Sequence, residues 1–354
     1  MGARFRVLVF LIGVLIGSGL ATAQQSVRVR VIDVGAGLCS VASITGPEGT
    51  AYLVFDAGAE FPFQAHPCLE GVQEVVGGSP VDVMVISHSD ADHLADADDV
   101  LDAFQVKRIV RTGASRSGPG QWKRFDDAVA REVEEGAEDR NLANDPLRPG
   151  EEISLAGATL TFVAGWSEWL APERFDQGEE RNVISIVARL HYDGRSVLFT
   201  GDTIGRRKTD EDGACKNAEE FMVANSGNVP IRSNVLIAPH HGGNNGSSAC
   251  FIAAVFGGPG ERVVPRYVVF PSGHAHGHPT QAVIDRLREH GGLGDRYMLR
   301  TDRGDDELSR YHADADPPGC HDPVGDDSVD ISWAQGSRLQ VKYIGRDGAC
   351  VQGQ

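Results

Sequence analysis

A short apolar run is followed at once by a cluster of metal-binding side chains. The run Val83–Ile86 has the composition of a strand buried on both faces, and residues 87–93 read Ser-His-Ser-Asp-Ala-Asp-His. A strand that ends in such a cluster brings several ligands to one point with little loss of loop entropy. Two histidines and two carboxylates are also unfavourable at the end of a buried strand unless a partner neutralises them, which argues against a merely solvated acidic loop. The predicted ligands of one or two divalent ions are His88, Asp90, Asp92 and His93.

A carboxylate and a histidine pair from later in the chain are expected to complete this site. Asp202 follows a strand pattern at 196–200, where a carboxylate could bridge two ions, although Gly-Asp after a strand is usually only a turn. His240 and His241 follow the apolar residues 235–238. Neighbouring residues of an extended chain point to opposite sides, so we expect one of the two to bind metal and assign His240. A surface loop that starts a helix is the alternative.

A histidine-rich segment follows the apolar run 267–270. Residues 272–279 read Ser-Gly-His-Ala-His-Gly-His-Pro, with His278 just before the proline. Three histidines in so short a stretch suggest contact with a metal or a substrate. A flexible exposed loop is the alternative.

The first 23 residues have the pattern of a secretory signal peptide. Arg4 and Arg6 precede an apolar stretch at 7–20, and Ala-Thr-Ala at 21–23 matches a cleavage site. We expect cleavage after Ala23 and a periplasmic or secreted mature chain without stable membrane insertion. An uncleaved membrane anchor is the alternative, which the shortness of the apolar stretch disfavours.

The net charge limits the partners of the chain. Its formal charge is −17, and the signal peptide removes two arginines and no acid. So acidic a protein repels polyanions at long range, which counts against non-specific binding of duplex DNA. Nucleic acid at a metal-rich site is still allowed, because bound divalent cations invert the local charge.

The cysteine count indicates disulfides. An even number in an exported chain favours disulfide bonds, although the sequence leaves the pairing open. Cys320 and Cys350 flank the C-terminal segment and could pair. No cysteine lies near the His/Asp cluster, so we expect structural roles for all of them. The six are Cys39, Cys68, Cys215, Cys250, Cys320 and Cys350.

Hydrophobic patterns predict strands in both halves of the chain, with helices after them. Acidic residues, Gly and Pro at 302–330 predict a long exposed loop. The pattern suits an α/β (α+β) protein in which two sheets pack together with helices outside, and we assign 24–354 to one domain. Strands are predicted at 27–34, 41–44, 51–55, 81–86, 152–163, 183–190, 196–200, 235–238, 267–270 and 331–344, and helices at 96–104, 121–135 and 280–290.

Taken in order, these motifs resemble the metallo-β-lactamase superfamily, and more closely the hydrolase-like domain of ComEC-type DNA-uptake proteins. The resemblance covers roughly residues 27–301. It implies a four-layer αββα sandwich and a metal-dependent hydrolase. The motifs that carry it are Ile-Asp-Val-Gly-Ala-Gly at 32–37, Asp-Ala-Gly at 56–58, the cluster at 88–93, Asn182 and Ser185 before Gly-Asp at 201–202, His-His-Gly at 240–242, and Ser-Gly-His with Gly-His-Pro at 272–279.

The chain departs from the superfamily signature at one of the two implied metal positions. The resemblance implies one ion held by Asp92, His93, Asp202 and His240 or His241, and that set is complete. The other position would have His88, Asp90 and the shared Asp202, because Asp90 stands where the superfamily has its second histidine. The superfamily's intermediate histidine has only His191 as a candidate, and a predicted hairpin keeps it away. More oxygen ligands let Mn²⁺ or Mg²⁺ compete with Zn²⁺.

Phosphodiester hydrolysis is the function that these observations favour. A metal-bound hydroxide would attack the substrate, which we expect to be a nucleic-acid or small-molecule phosphodiester. We assign catalytic roles to Asp90, Asp92 and His278, with Asp90 or a histidine of 274–278 protonating the leaving group. One alternative is a hydrolase of a lactone, thioester or β-lactam. The other is a binding protein with the same fold and no activity.

Overall fold

A computed structural model shows two mixed β-sheets in this protein. Along their strands, successive side chains alternate between two apolar faces. The predicted signal peptide and most of the predicted acidic loop at 302–330 lie outside the part of the chain that the structure describes, as does Cys320 of the predicted Cys320–Cys350 pair. The described residues are 25–59, 66–114, 120–165, 177–207, 209–258, 263–273, 276–301, 328–345 and 348–350.

The first sheet has the strand order β16-β15-β14-β1-β2-β3-β4-β5-β6. Strands β3 to β6 run parallel to one another, and the remaining neighbours are antiparallel. Its strands are β1 (Ser26–Val31), β2 (Cys39–Gly46), β3 (Gly49–Ala57), β4 (Val83–Ile86), β5 (Arg108–Arg111), β6 (Glu138–Asn141), β14 (Ser328–Ala334), β15 (Gln340–Gly345) and β16 (Gly348–Cys350).

The second sheet has the order β13-β12-β11-β10-β9-β8-β7. Strands β10 to β13 are parallel, whereas β7 to β10 pair in antiparallel fashion. Its strands are β7 (Glu152–Leu155), β8 (Ala158–Ala164), β9 (Val187–Tyr192), β10 (Arg195–Phe199), β11 (Val235–Ile237), β12 (Tyr267–Phe270) and β13 (Met298–Arg300).

The two sheets pack face to face through alternate residues of their strands. In β3, Phe55 points into the layer between the sheets and stacks on Phe199 of β10, with ring centroids 4.9 Å apart. Its neighbour Val54 belongs to the opposite, outer face of the first sheet. A period of two along each strand therefore supplies a common core and an apolar outer face.

Helices cover both outer faces and complete four layers. Helices α1 to α4 lie against the first sheet, and the later helices lie against the second, each with its own apolar cluster. No helix in the described ranges is long and apolar enough to cross a membrane. The helices are α1 (Pro67–Val76), α2 (Ala91–Leu94), α3 (Ala97–Ala103), α4 (Gln121–Glu134), α5 (Gln177–Val183), α6 (Asn217–Asn225), α7 (Ala249–Phe256) and α8 (Gln281–Arg286). This arrangement confirms the α/β class and the layered sandwich expected from the sequence.

Two disulfides tie helices to neighbouring segments. Cys39 at the start of β2 is bonded to Cys68 in α1, with Cα atoms 5.7 Å apart. Cys215, just before α6, is bonded to Cys250 in α7, with Cα atoms 6.1 Å apart. The expectation of structural disulfides is therefore met for these four residues, and none of them contributes to the His/Asp cluster.

Several elements differ from the sequence-based expectation. The segment after β4, expected as a loop, contains the short helix α2, which starts at Ala91. The strand expected at 183–190 begins only at Val187, because Val183 is the last residue of helix α5 and residues 184–186 connect the helix to the strand. Helix α8 ends at Arg286 and continues as a π-helical turn to Gly291.

Candidate metal centre

Four ligand-type side chains meet where the parallel strands of both sheets end. The Nε2 atom of His93 lies 2.9 Å from Asp202 Oδ1, and the Nε2 atom of His241 lies 3.2 Å from the same oxygen. Asp92 Oδ2 is 3.5 Å from His241 Nε2. One potential ligand atom from each of the four lies within 4.8 Å of all the others, a spacing that suits a single divalent ion.

A second group of side chains faces the other oxygen of Asp202. His240 Nε2 lies 3.6 Å from Asp202 Oδ2, and His88 Nε2 lies 3.8 Å from it. His88 Nε2 is also 3.8 Å from Asp90 Oδ2. Asp202 therefore stands between two donor groups and presents one carboxylate oxygen to each, which is the arrangement of a carboxylate that bridges two ions.

Both members of the histidine pair reach the site. His240 and His241 adopt left-handed backbone angles, with φ of 49° and 55°, so the chain is not extended there. The two imidazoles consequently point toward the same carboxylate, Asp202. This corrects the expectation that one of the pair points away. His241 belongs to the compact group of four, and the assignment of His240 as a ligand stays a prediction for the second group.

Close backbone approach shapes the segment that carries Asp92. A side-chain carbon added at Gly58 would lie 1.6 Å from the carbonyl oxygen of Asp92, so no other residue fits there. Gly201, before Asp202, has φ +51° and would place such a carbon 2.6 Å from Ser87 Oγ. Because these glycines have no side chain, the ends of β3 and β10 can pack directly against residues 87–93, which we call the ligand loop.

Hydrogen bonds on the far side of each ring orient the imidazoles. His93 Nδ1 donates to Asp56 Oδ2 at 2.8 Å, and His241 Nδ1 donates to the carbonyl of Pro271 at 2.6 Å. His240 Nδ1 donates to Asn245 Oδ1 at 2.6 Å. Because Nδ1 keeps its proton in these hydrogen bonds, Nε2 is the nitrogen that would lose its proton and bind a metal, as in metal-binding histidines.

Asp56 is a site residue that the sequence analysis did not assign. Besides His93, it accepts hydrogen bonds from the backbone N–H of Ser87 at 2.6 Å and from the Ser87 hydroxyl at 2.7 Å. It is fully buried. The Asp-Ala-Gly motif at the end of β3 was the available signal, but only the folded chain shows that its carboxylate holds a ligand.

Charge and burial shift the pKa values in the cluster. Burial opposes the charged form of His93 and His241, but the neighbouring carboxylates outweigh it: they raise the pKa of His93 well above its usual value and that of His241 to about 10. Burial also opposes ionisation of Asp202, yet the histidines hold its pKa well below its usual range. The cluster thus stabilises positive charge at its centre, as a cation site does.

His88 gives a direct test of whether a metal fits. Burial is the main cause that lowers the pKa of His88, so its imidazole is neutral at neutral pH. Its Nε2 atom is buried and has no hydrogen-bond partner within the described ranges. A buried lone pair without a donor is unfavourable by itself, and a metal ion beside Asp202 would satisfy it. The residues present therefore fit a divalent ion.

Asp90 has a partner that the sequence did not indicate. Its Oδ1 accepts a hydrogen bond from Nε of Arg181, a residue of helix α5, and both side chains are about one-fifth exposed. Arg181 thereby brings a guanidinium to the rim of the site. This ion pair keeps Asp90 beside His88, and the guanidinium balances part of the negative charge of Asp90.

His278 lies at the edge of the same site. Its ring centroid is 5.8 Å from that of His240. Burial and the neighbouring histidines lower the pKa of His278 to about 3, so the ring is neutral at neutral pH. A neutral imidazole donates a proton poorly, which weakens the expected role in protonating a leaving group. His191 pairs with Ser196 at the other end of β10 and does not reach the site.

A cavity of about 750 Å³ opens over these side chains. Its volume is in the range of pockets that hold small ligands. Because the donor groups of Asp202 and both histidines line its floor, a molecule in the cavity would contact the candidate metal positions directly. Among the residues that line it are Asp90, Asp92, Asp202, His240, His241 and His278.

Comparison with known proteins agrees with the geometry. The sequence profile of the metallo-beta-lactamase superfamily matches residues 34–265. This range begins just before β2 and ends before β12, so it contains all of the ligand-type side chains around Asp202.

Curated relatives and solved structures were also found. The competence protein ComA of Neisseria gonorrhoeae is 28% identical over 286 residues, which are 80% of this chain and 32% of the relative. ComE operon protein 3 of Bacillus subtilis (strain 168) is 23% identical over 299 residues, 80% of this chain and 33% of the relative. The chain thus spans about a third of the length of these relatives. The metallo-beta-lactamase fold protein YhfI from Bacillus subtilis aligns with a TM-score of 0.42 at 13% identity, covering 77% of this chain and 95% of that one.

Proposed function

Since the chain belongs to the metallo-beta-lactamase superfamily, we propose that it is an exported metal-dependent hydrolase that acts on phosphodiesters. The observation that carries the proposal is Asp202, whose two carboxylate oxygens face two separate groups of nitrogen and oxygen donors. A carboxylate in this position would help to hold two ions, and a pair of ions supplies the charge that many phosphodiesterases use to stabilise the attacking and leaving oxygens.

The donor sets suggest which residues hold each ion. Asp92, His93, Asp202 and His241 would supply two nitrogens and two oxygens for the first. For the second, the donors facing Asp202 Oδ2 are His88 and His240, with Asp90 beside them. Mixed nitrogen and oxygen ligands suit Zn²⁺ or Mn²⁺. A divalent ion bound there supplies a Lewis acid that lowers the pKa of water and stabilises negative charge on the substrate.

Side chains in the cavity or next to it would bind the substrate. The guanidinium of Arg181 is held at the rim by Asp90, where its remaining N–H groups can donate to a phosphoryl oxygen. His278, neutral because of burial, can hydrogen-bond a substrate oxygen without adding charge. The resemblance to DNA-uptake proteins favours nucleic acid. The formal charge of −17 favours short or single-stranded pieces over long duplexes.

The first experiment measures metal and activity on the mature protein. Metal per chain is determined after loading with Zn²⁺ or Mn²⁺. The loaded protein is then assayed side by side with bis-p-nitrophenyl phosphate, nitrocefin and a lactone. Hydrolysis of the phosphodiester alone supports the proposal. A chain that binds no metal contradicts every enzymatic interpretation, and hydrolysis of only nitrocefin or the lactone identifies a small-molecule hydrolase.

Replacing one ligand tests the site. His93→Ala removes a buried imidazole that contacts Asp202, and we expect activity to fall by at least about a hundredfold, in line with the loss of several kcal/mol of transition-state stabilisation. His290→Ala is the matched control, because this half-exposed histidine pairs with the adjacent Glu289 and not with the cluster. Activity that survives in the His93 variant refutes the assignment.

Export is tested separately from activity. We expect the protein recovered from the periplasm or the medium to begin at residue 24, as found by N-terminal sequencing or intact mass. A chain that stays in the membrane fraction with Met1 retained contradicts cleavage and supports an anchor.

A further inference from the structure

A second cavity, of about 620 Å³, lies at the opposite end of the second sheet. Strands β10 and β12 begin at this cavity and end at the candidate metal centre, because both run parallel from it. The two cavities therefore lie at opposite ends of the same strands and share no residue. We call the second cavity the basic pocket, and its wall includes Arg195, Val264, Arg266, Tyr267, Tyr297 and Arg338.

The basic pocket has a positive wall in an acidic protein. Among the residues that the structure describes, three arginines and no carboxylate line it, although the chain has 50 acidic and 33 basic residues. Within the described ranges, neither Arg195 nor Arg338 forms an ion pair, whereas exposed arginines such as Arg124 and Arg131 pair with aspartates. Arg195 donates to the carbonyl of Val264 at 3.4 Å, which holds its guanidinium at the cavity. Uncompensated guanidinium groups attract anions at short range even where the net charge repels them at long range.

Two tyrosines add aromatic surface beside these charges. The rings of Tyr267 and Tyr297 meet edge to face, with centroids 5.3 Å apart, and both are partly exposed. The guanidinium carbon of Arg296 lies 4.6 Å from the centroid of Tyr297. Val264 is 66% exposed and, in the part of the chain that the structure describes, shares such exposure with one other large apolar side chain, Val133. Apolar and aromatic groups next to free positive charge match a ligand with one flat face and one anionic group.

We propose that the basic pocket binds a nucleoside phosphate, either a free nucleotide or one unit of a single strand. Guanidinium groups of Arg195 and Arg338 would bind the phosphate, and the tyrosines would contact the base. A cavity of about 620 Å³ suits a ligand of this size. This proposal does not rest on the function proposed for the metal centre, since the pocket lies at the other end of the sheet.

Calorimetric titration of the metal-free protein tests the proposal. EDTA is present throughout, so that the metal centre cannot contribute. We expect 5′-AMP to bind at least about tenfold more tightly than adenosine or inorganic phosphate alone, because only the nucleotide offers both groups. A short oligo-dA that binds more tightly than 5′-AMP identifies the single strand as the ligand, and equal or weaker binding identifies the free nucleotide.

Variants of the pocket locate the binding. The double variant Arg195→Ala/Arg338→Ala should lose at least about tenfold in affinity for 5′-AMP. If the double variant is unstable, Arg338→Ala alone replaces it, because Arg338 lies in an exposed connection between strands. Arg131→Ala is the control for the loss of a surface charge. His93→Ala should bind as the wild type does, which separates this test from that of the metal centre.

Three results would overturn the proposal. The first is an absence of binding by both 5′-AMP and the oligonucleotide. The second is undiminished binding by both arginine variants. The third is a polyglutamate peptide that binds the pocket as tightly as 5′-AMP, because that would make the pocket a site for an acidic protein segment.

Discussion

At the scale of single residues, the candidate site depends on Asp56, a carboxylate that belongs to neither group of potential metal ligands. Asp56 holds His93 through Nδ1 and also accepts two hydrogen bonds from Ser87, the residue that precedes His88. One buried carboxylate thus positions the start of the ligand loop and one ligand in its middle. A partner of this kind raises the basicity of the imidazole and fixes which nitrogen carries the proton.

Asp56→Asn is expected to weaken metal binding by roughly ten- to a hundredfold. Asparagine offers one acceptor oxygen in place of two, so it cannot accept all three hydrogen bonds from Ser87 and His93. It tolerates the left-handed backbone of this position, where φ is 57°. Affinity is measured by titration with Zn²⁺ or Mn²⁺ against a chelating dye. Asp82→Asn is the control, since Asp82 pairs with Lys107 at the surface. Equal affinities of the Asp56 variant and the wild type would contradict this role.

At the scale of elements, helix α6 supports the segment that follows the histidine pair. Glu219 of α6 is fully buried, and its carboxylate accepts hydrogen bonds from the backbone N–H groups of Ser247 at 2.6 Å and Ser248 at 2.9 Å. The disulfide between Cys215 and Cys250 joins the same two regions. Burial raises the pKa of Glu219 from 4.5 to about 7, so this link is sensitive to pH near neutrality.

The free energy of unfolding should therefore decrease as the pH rises, and Glu219 should account for part of this decrease. Its pKa is higher in the folded than in the unfolded state, so its stabilising contribution is complete below pH 4.5 and is lost as the pH rises through about 7. Between about pH 5 and 8, we expect the wild type to lose roughly 3 kcal/mol more unfolding free energy than Glu219→Gln.

Urea unfolding at several pH values measures this difference. Glu220→Gln on the same helix is the matched control, because Glu220 is exposed and should leave the pH dependence unchanged. The prediction fails if the Glu219 variant and the wild type lose stability in parallel across this range.

At the scale of the whole molecule, the two sheets each contribute half of the candidate site. The first sheet carries His88 and His93 after β4, and the second carries Asp202 after β10 and the histidine pair after β11. The carboxyl ends of parallel strands from both sheets open at the same edge, where the cavity of about 750 Å³ lies. Ions bound between these ends would hold the two halves of the sandwich together.

Metal removal should consequently destabilise the whole fold. A ligand that binds only the folded state raises its unfolding free energy by about 2.7 kcal/mol when its free concentration is a hundred times its Kd. We expect the melting temperature to rise on loading with Zn²⁺ or Mn²⁺ and to return on addition of EDTA. His93→Ala should show little of this rise, and an equal rise in both proteins would indicate binding elsewhere.

Local pattern predicted much of the architecture. Strand β4 and the ligand loop after it were recognisable because an apolar run and its polar end are adjacent in the chain. The hairpin of β9 and β10 was recognisable for the same reason, because Asp193 and Gly194 form a turn signal between two apolar strands. Helices α1, α6 and α7 were not predicted. They are short, at ten, nine and eight residues, and their apolar residues pack on the outer sheet faces that they cover.

The sequence by itself determined the kinds of ligand, their order along the chain and the layered α/β class, because these depend on residues that are near one another in sequence. Only the tertiary structure decided that His240 and His241 both face Asp202, that Asp56 holds His93, and that Arg181 pairs with Asp90. Those contacts join segments from different strands and helices. Their distances depend on how two sheets pack and on left-handed backbone at single residues, which no local pattern of side chains encodes.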